Sequence, residues 1–120
     1  MEKDRETVGL TPENQTILDD LMSRGWFAQG QDAAKLCVAL SIAQGVPVGA
    51  TSGTDTRWAV GNFDKTGELR ALIGAMYPEC KTPNRLLEHY LNEGLQSIGA
   101  KMRAGNLRLE DLLSSVPEES

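Results

Sequence analysis

The chain has 120 residues, a formal net charge of −5, 40% hydrophobic and 24% charged residues, two cysteines and one histidine. That size suits a single domain, 1–120, able to bury a core without disulfides or metal. Cys37 and Cys80 are too few for a disulfide framework, and one histidine leaves no imidazole pair for a zinc site, so those two classes are excluded.

Charge is sorted by position. Residues 1–23 carry six acids against two bases, residues 109–120 carry four acids and no base, and residues 24–108 carry ten bases against seven acids. The overall sign is therefore a poor guide to what the middle binds. Met1–Gly9 is charged and has no apolar run, which predicts neither a signal peptide nor an anchor. The apolar stretch Ala33–Ala43 is broken by Lys35 and Ser41 and is too short to span a bilayer. The expectation is a cytoplasmic protein without membrane contact, with residues 1–9 and 117–120 as flexible acidic tails.

Thr11-Pro12-Glu13 opens a first helix with a hydroxyl N-cap and proline at the first helical position. Ile17, Leu18, Leu21 and Met22 form its apolar stripe, and Gly25 ends it. A second helix runs from Gln31 or Asp32 to Gln44. Its Ala33, Ala34, Leu36, Cys37, Val38, Leu40 and Ile42 leave little polar face, as for a central helix. Residues 46–55 read as a loop. Thr56–Val60 alternates, with Trp58 and Val60 on one face, and is the one predicted strand. Asp64 caps a third helix over 65–77 with Leu69, Leu72, Ile73 and Met76 inward. Thr82-Pro83 opens the fourth and longest, to about Ala104, with Leu86, Leu87, Tyr90, Leu91, Leu95 and Ile98 as its apolar stripe. A closing turn follows over 107–116. The fold class is mostly α: about four helices, one short strand, and a core including Leu40, Trp58, Leu72 and Leu91.

A lone strand needs a backbone partner elsewhere in the chain or in a second copy. Gly94 and Gly99 inside a long helix each cost roughly 1 kcal/mol of propensity and signal a close backbone. Together these features predict a homo-oligomer.

No catalytic residue, metal or cofactor is expected. His89 falls among Arg85, Glu88, Asn92, Glu93 and Gln96 on the polar face of the long helix and reads as a solvated residue without a partner. Glu88 and Glu93 do not share a helix row. Gly49–Thr54 lacks the Lys-Ser/Thr of a phosphate loop, and Asp55, Asp64 and Glu68 lack calcium-loop spacing. Cys37 is a small core residue. For nucleic acid, the candidate contacts are Arg57, Lys65, Lys101, Arg103 and Arg108, the last three clustered near the end of the long helix. The same cations also suit a helix C-terminal dipole and a solvated surface.

Strand 56–60, helix 65–77 and helix 83–104 have the order and lengths of a ribbon-helix-helix unit. The second half thus resembles that family, in which paired strands enter the DNA major groove; here the outward positions are Arg57, Ala59 and Gly61. A second resemblance covers residues 25–100. It rests on Phe27, Asp32-Ala33-Ala34-Lys35, Ala39–Gly45, Trp58, Val60-Gly61, Asp64, Gly67-Glu68-Leu69, Arg85, Glu88, Tyr90 and Asn92–Leu95. This succession is similar to small accessory proteins of bacterial DNA phosphorothioation (Dnd-type) modification and restriction loci. That resemblance implies a non-enzymatic part in a DNA modification or phage-defence assembly, with subunits of that complex, and DNA, as partners. The acidic termini and the lack of a lysine-rich surface depart from the small subunit of that complex. The rival reading is a protein-interaction adaptor or regulator that never contacts nucleic acid.

Overall fold

The computed structural model describes residues 4–105 and residue 108. The elements run β1 (Thr7–Leu10), α1 (Pro12–Met22), α2 (Gly30–Ala43), β2 (Asp55–Ala59), α3 (Val60–Phe63), α4 (Glu68–Met76) and α5 (Pro83–Arg103). The described residues are mostly helical, five helices with one two-stranded antiparallel sheet. No described helix is long and apolar enough to cross a membrane. The expected closing turn 107–116 and tail 117–120 lie outside the described residues, except Arg108, which is exposed.

The hub is α5 rather than α2. Helices α1, α2 and α4 and strand β1 all pack on it, and Leu86, Leu87, Tyr90, Leu91, Leu95 and Ile98 are buried along it. Leu40 and Leu91 lie in this core as expected. A Cβ on Gly94 would collide with the Cys37 carbonyl and come within 2.8 Å of the Cys37 Cβ. A Cβ on Gly99 would meet the Ile17 Cδ1 at 2.7 Å. The glycines therefore admit α2 and α1 of the same chain. A buried Ser41 hydroxyl completes the α2–α5 seam by donating to the Tyr90 carbonyl at 2.6 Å.

The strand also finds its partner within the chain. Residues 4–9, expected as part of a flexible tail, are built into the fold: Val8 and Leu10 are fully buried, and β1 pairs antiparallel with β2. The pairing aligns Val8 with Trp58 and Gly9 with Thr56, so Arg57 is the extra residue of a β-bulge. Only glycine fits at position 9, where a Cβ would lie 2.5 Å from the Asp55 carbonyl oxygen. Both features that suggested a second copy are thus satisfied by one chain.

Two helix starts differ from expectation in an instructive way. Thr82 makes no side-chain cap. Instead Asp4 reaches across the sequence and accepts from the N–H groups of Asn84 and Arg85, each at 3.0 Å. Asp64 does cap the next helix, but from the preceding turn: α4 starts at Glu68, and Asp64 accepts from Leu69 and Arg70 N–H, each at 3.1 Å. Burial tends to raise this carboxyl, but those N–H groups and the Arg70 guanidinium outweigh it and hold it below its ordinary value.

Candidate functional site

The five predicted nucleic-acid contacts sit on different parts of the chain. Arg57 is exposed on the bulged strand, its guanidinium 5.3 Å from the Trp58 ring centroid. Lys65 is exposed in the turn between α3 and α4. Lys101 and Arg103 share the last turn of α5, and Arg108 is exposed beyond it. Among the described residues none of Arg57, Lys65, Lys101 and Arg103 forms an ion pair. A strand, a turn, the end of a helix and a residue beyond it thus carry these charges.

Two other regions bring side chains together. The first is the polar row of α5, expected to face water and instead mostly covered. Glu88, Asn92 and Gln96 are spaced i, i+4, i+8 on one helix face, and β1 and the start of α1 lie against them. Glu88 accepts from the Gly9 N–H at 2.8 Å, from Arg5 at 3.0 Å and from the Thr54 hydroxyl at 3.4 Å. Asn92 donates to the Gly9 carbonyl at 3.0 Å and accepts from Thr11 N–H at 3.2 Å and the Asn14 amide at 2.8 Å. Gln96 donates to Asn14 at 2.6 Å. Burial raises the Glu88 carboxyl above its ordinary value, and the Gly9 N–H and Arg5 only partly offset it.

His89 belongs to this region. Its side chain is only 12% exposed, its Nδ1 lies 3.0 Å from the Thr51 hydroxyl, and Gly49 packs so closely that a Cβ would sit 3.1 Å from Nε2. The loop after α2 therefore docks on α5 through the one histidine. Beside it, Arg5, Ala50, Thr51, Arg85 and Glu88 line a cleft of about 180 Å³.

The second region is apolar. Helix α4 was expected to bury Leu69, Leu72, Ile73 and Met76, but only Ile73 is fully enclosed. Leu69 is half-buried, while Leu72 is 41% and Met76 51% exposed. The helix has just nine residues, so a single contact with α5 covers one side and leaves the adjoining row outside. Glu68, Leu72 and Met76 are spaced i, i+4, i+8 on that row, with Glu79 just beyond. Glu68 and Glu79 are exposed and form no ion pair among the described residues. Next to Met76 in sequence, Tyr77, Pro78, Glu79 and Cys80 line a groove of about 480 Å³ with Val48, itself 60% exposed. Trp58, expected in the core, is half-buried against Phe63 with ring centroids 5.2 Å apart.

Among the described residues no three His, Cys, Asp or Glu side chains converge as metal ligands. Cys37 is enclosed, and burial pushes its thiol up to about 12, which keeps it protonated and unreactive at neutral pH. Comparison with protein-family models, with characterised proteins and with solved structures gives no match.

Proposed function

We propose that this protein is a non-catalytic accessory protein of a bacterial DNA modification or phage-defence assembly, and that it acts there by protein contact through the outer row of α4. The observation that carries the contact is the uncovered pair Leu72 and Met76, framed by Glu68 and Glu79, which are unpaired among the described residues. Exposed apolar side chains with an acid at each end suit a partner that brings basic residues to those ends. The occupant is an amphipathic segment of another protein, with apolar residues between flanking lysines or arginines. The assembly itself is inferred from the residue succession over 25–100 that is similar to Dnd-type accessory proteins.

The strand–helix–helix order of a ribbon-helix-helix unit is interrupted here by α3: the chain runs β2, α3, α4, α5. The strand also differs in use, because β1 of the same chain occupies one edge of β2. The placement of Arg57, Lys65 and the Lys101–Arg103 turn on different parts of the chain favours the protein-contact reading over direct duplex contact. The groups best suited to chemistry support a non-catalytic role: Glu88 and Asp64 spend their oxygens on backbone N–H groups and arginines.

The test is reconstitution with the DNA-modification subunits of the host that encodes this chain. Wild-type protein is expected to bind one of them, and Leu72→Glu/Met76→Glu to lose binding at least tenfold while its melting curve stays unchanged. Equal binding by the variant overturns the α4 surface. Absence of any subunit that binds overturns the assembly.

A further inference from the structure

We infer that the cleft between Arg5 and Arg85 is a binding site for a small phosphate-type oxyanion. Its walls come from three distant parts of the chain: Arg5 ahead of β1, Ala50 and Thr51 in the loop after α2, and Arg85 and Glu88 on α5. At about 180 Å³ it holds the equivalent of roughly six waters, enough for an anion of a few heavy atoms.

The asymmetry between its two arginines points to the ligand. Arg5 is committed, donating to Glu88 at 3.0 Å and to the Thr54 hydroxyl at 3.2 Å. Arg85 is not. Its backbone N–H donates to Asp4, but its side chain makes no hydrogen bond among the described residues, and its Nε is buried without a partner. That Nε is closed to solvent and therefore to a ligand, so what Arg85 offers the cleft it lines is the rest of its unbonded guanidinium, which still wants an acceptor. Neither nearby carboxylate supplies it. Glu88 is held by the Gly9 N–H, Arg5 and Thr54, and Asp4 by the N–H groups of Arg5, Asn84 and Arg85.

The α5 N-terminus does not provide the site, since Asp4 already occupies the Asn84 and Arg85 N–H groups. What remains is the forked guanidinium of Arg85, the unused donors of Arg5 and the Thr51 hydroxyl, braced by His89 Nδ1 at 3.0 Å. A planar fork with a hydroxyl beside it matches two oxygens of a phosphate. The two arginines are balanced by Glu88 and Asp4, so affinity comes from unmatched donors rather than net charge, and selectivity over chloride is expected.

Thermal melts of the full chain in inorganic phosphate, against chloride at equal ionic strength, test this inference. At about ten times Kd, phosphate is expected to raise the melting temperature by roughly 5 °C. Arg85→Gln removes the shift, and Thr51→Val, which loses the His89 contact but leaves the Glu88, Asn92 and Gln96 bonds in place, weakens phosphate binding several-fold. Arg57→Gln, at a side chain that lies by Gly30 and does not line the cleft, retains the full shift. O-phosphoserine in a parallel melt distinguishes esterified from free phosphate: a larger shift assigns a phosphate ester, a smaller one the free anion. Equal melting in phosphate and chloride, or an undiminished shift in both Arg85→Gln and Thr51→Val, overturns the inference.

Discussion

Replacing Asn92 by alanine tests whether the buried polar row of α5 holds β1 in place. Asn92 is 2% exposed and joins three segments through its amide. Its removal strips the Gly9 carbonyl of its 3.0 Å donor and the Thr11 N–H of its 3.2 Å acceptor. The Asn14 amide loses its 2.8 Å contact but keeps the Asn92 backbone carbonyl at 3.3 Å. The Glu88 carbonyl keeps its ordinary helical donor and is not orphaned. Two backbone groups left unmatched at about 1–3 kcal/mol each sum to roughly 2–6 kcal/mol. Water entering the vacated space recovers part of that, so the expected loss is about 2–4 kcal/mol. This is a large share of the ~5–15 kcal/mol that stabilises a typical domain. Urea denaturation should show a lower midpoint with an unchanged slope. Gln96→Ala removes one bond from a half-buried side chain and leaves the Asn14 Oδ1 without its 2.6 Å donor. It should cost about 1 kcal/mol, the low end of that penalty, because water reaches this position. An Asn92→Ala loss below about 1 kcal/mol, or one equal to that of Gln96→Ala, would refute the role assigned to this row.

Leu91→Ala should cost roughly 2–5 kcal/mol, whereas Leu72→Ala on the open row should stay within about 0.5 kcal/mol; denaturant midpoints of the two variants check both. Gly94→Ala should destabilise markedly by driving α5 off the Cys37 backbone, while Gly74→Ala, where a Cβ meets nothing within 4 Å, should gain up to about 1 kcal/mol from helix propensity. Asp64 has a folded-state carboxyl below its ordinary value of 3.8, so its contribution is present above that pH and lost as pH falls through the folded value. Asp64→Asn should therefore lower stability at pH 7 and flatten the acid limb of the stability curve. Glu88 has the opposite sign: its carboxyl is raised above 4.5, so its contribution is full below that value and declines as pH rises through the folded one. Glu88→Gln should remove that decline in the same titration.

The helices were legible because their apolar stripes and caps are local. Thr11-Pro12 set the start of α1, where the Thr11 hydroxyl accepts from Asn14 N–H at 3.1 Å, and the stripe from Leu86 to Ile98 marked the buried side of α5. What was not legible depends on distant partners. Val8 and Leu10 do alternate, but four residues after a charged start give too short a period to stand out from a tail. Asp4 caps a helix about 80 residues away, which no local pattern encodes. The polar stripe of α5 reads as solvated because Glu, His, Asn and Gln usually face water; here Arg5, the backbone of β1, the start of α1 and the 49–54 loop supply their partners. Leu72 and Met76 carry the same 3.6-residue signal as core positions, and periodicity alone cannot tell whether a neighbour covers that face. The phosphate cleft was invisible for the same reason as the cap, since Arg5, Thr51 and Arg85 meet only in three dimensions.

The most direct measurement of the central claim pairs two titrations of the same protein, one with short duplex DNA at low salt and one with the DNA-modification subunit it binds. Protein contact through α4 predicts no saturable duplex binding by fluorescence anisotropy, together with subunit binding that Leu72→Glu/Met76→Glu abolishes and Arg57→Ala/Lys101→Ala/Arg103→Ala leaves intact. The contrary result is duplex binding that falls steeply with salt, is weakened by the three basic substitutions, and is indifferent to the α4 pair.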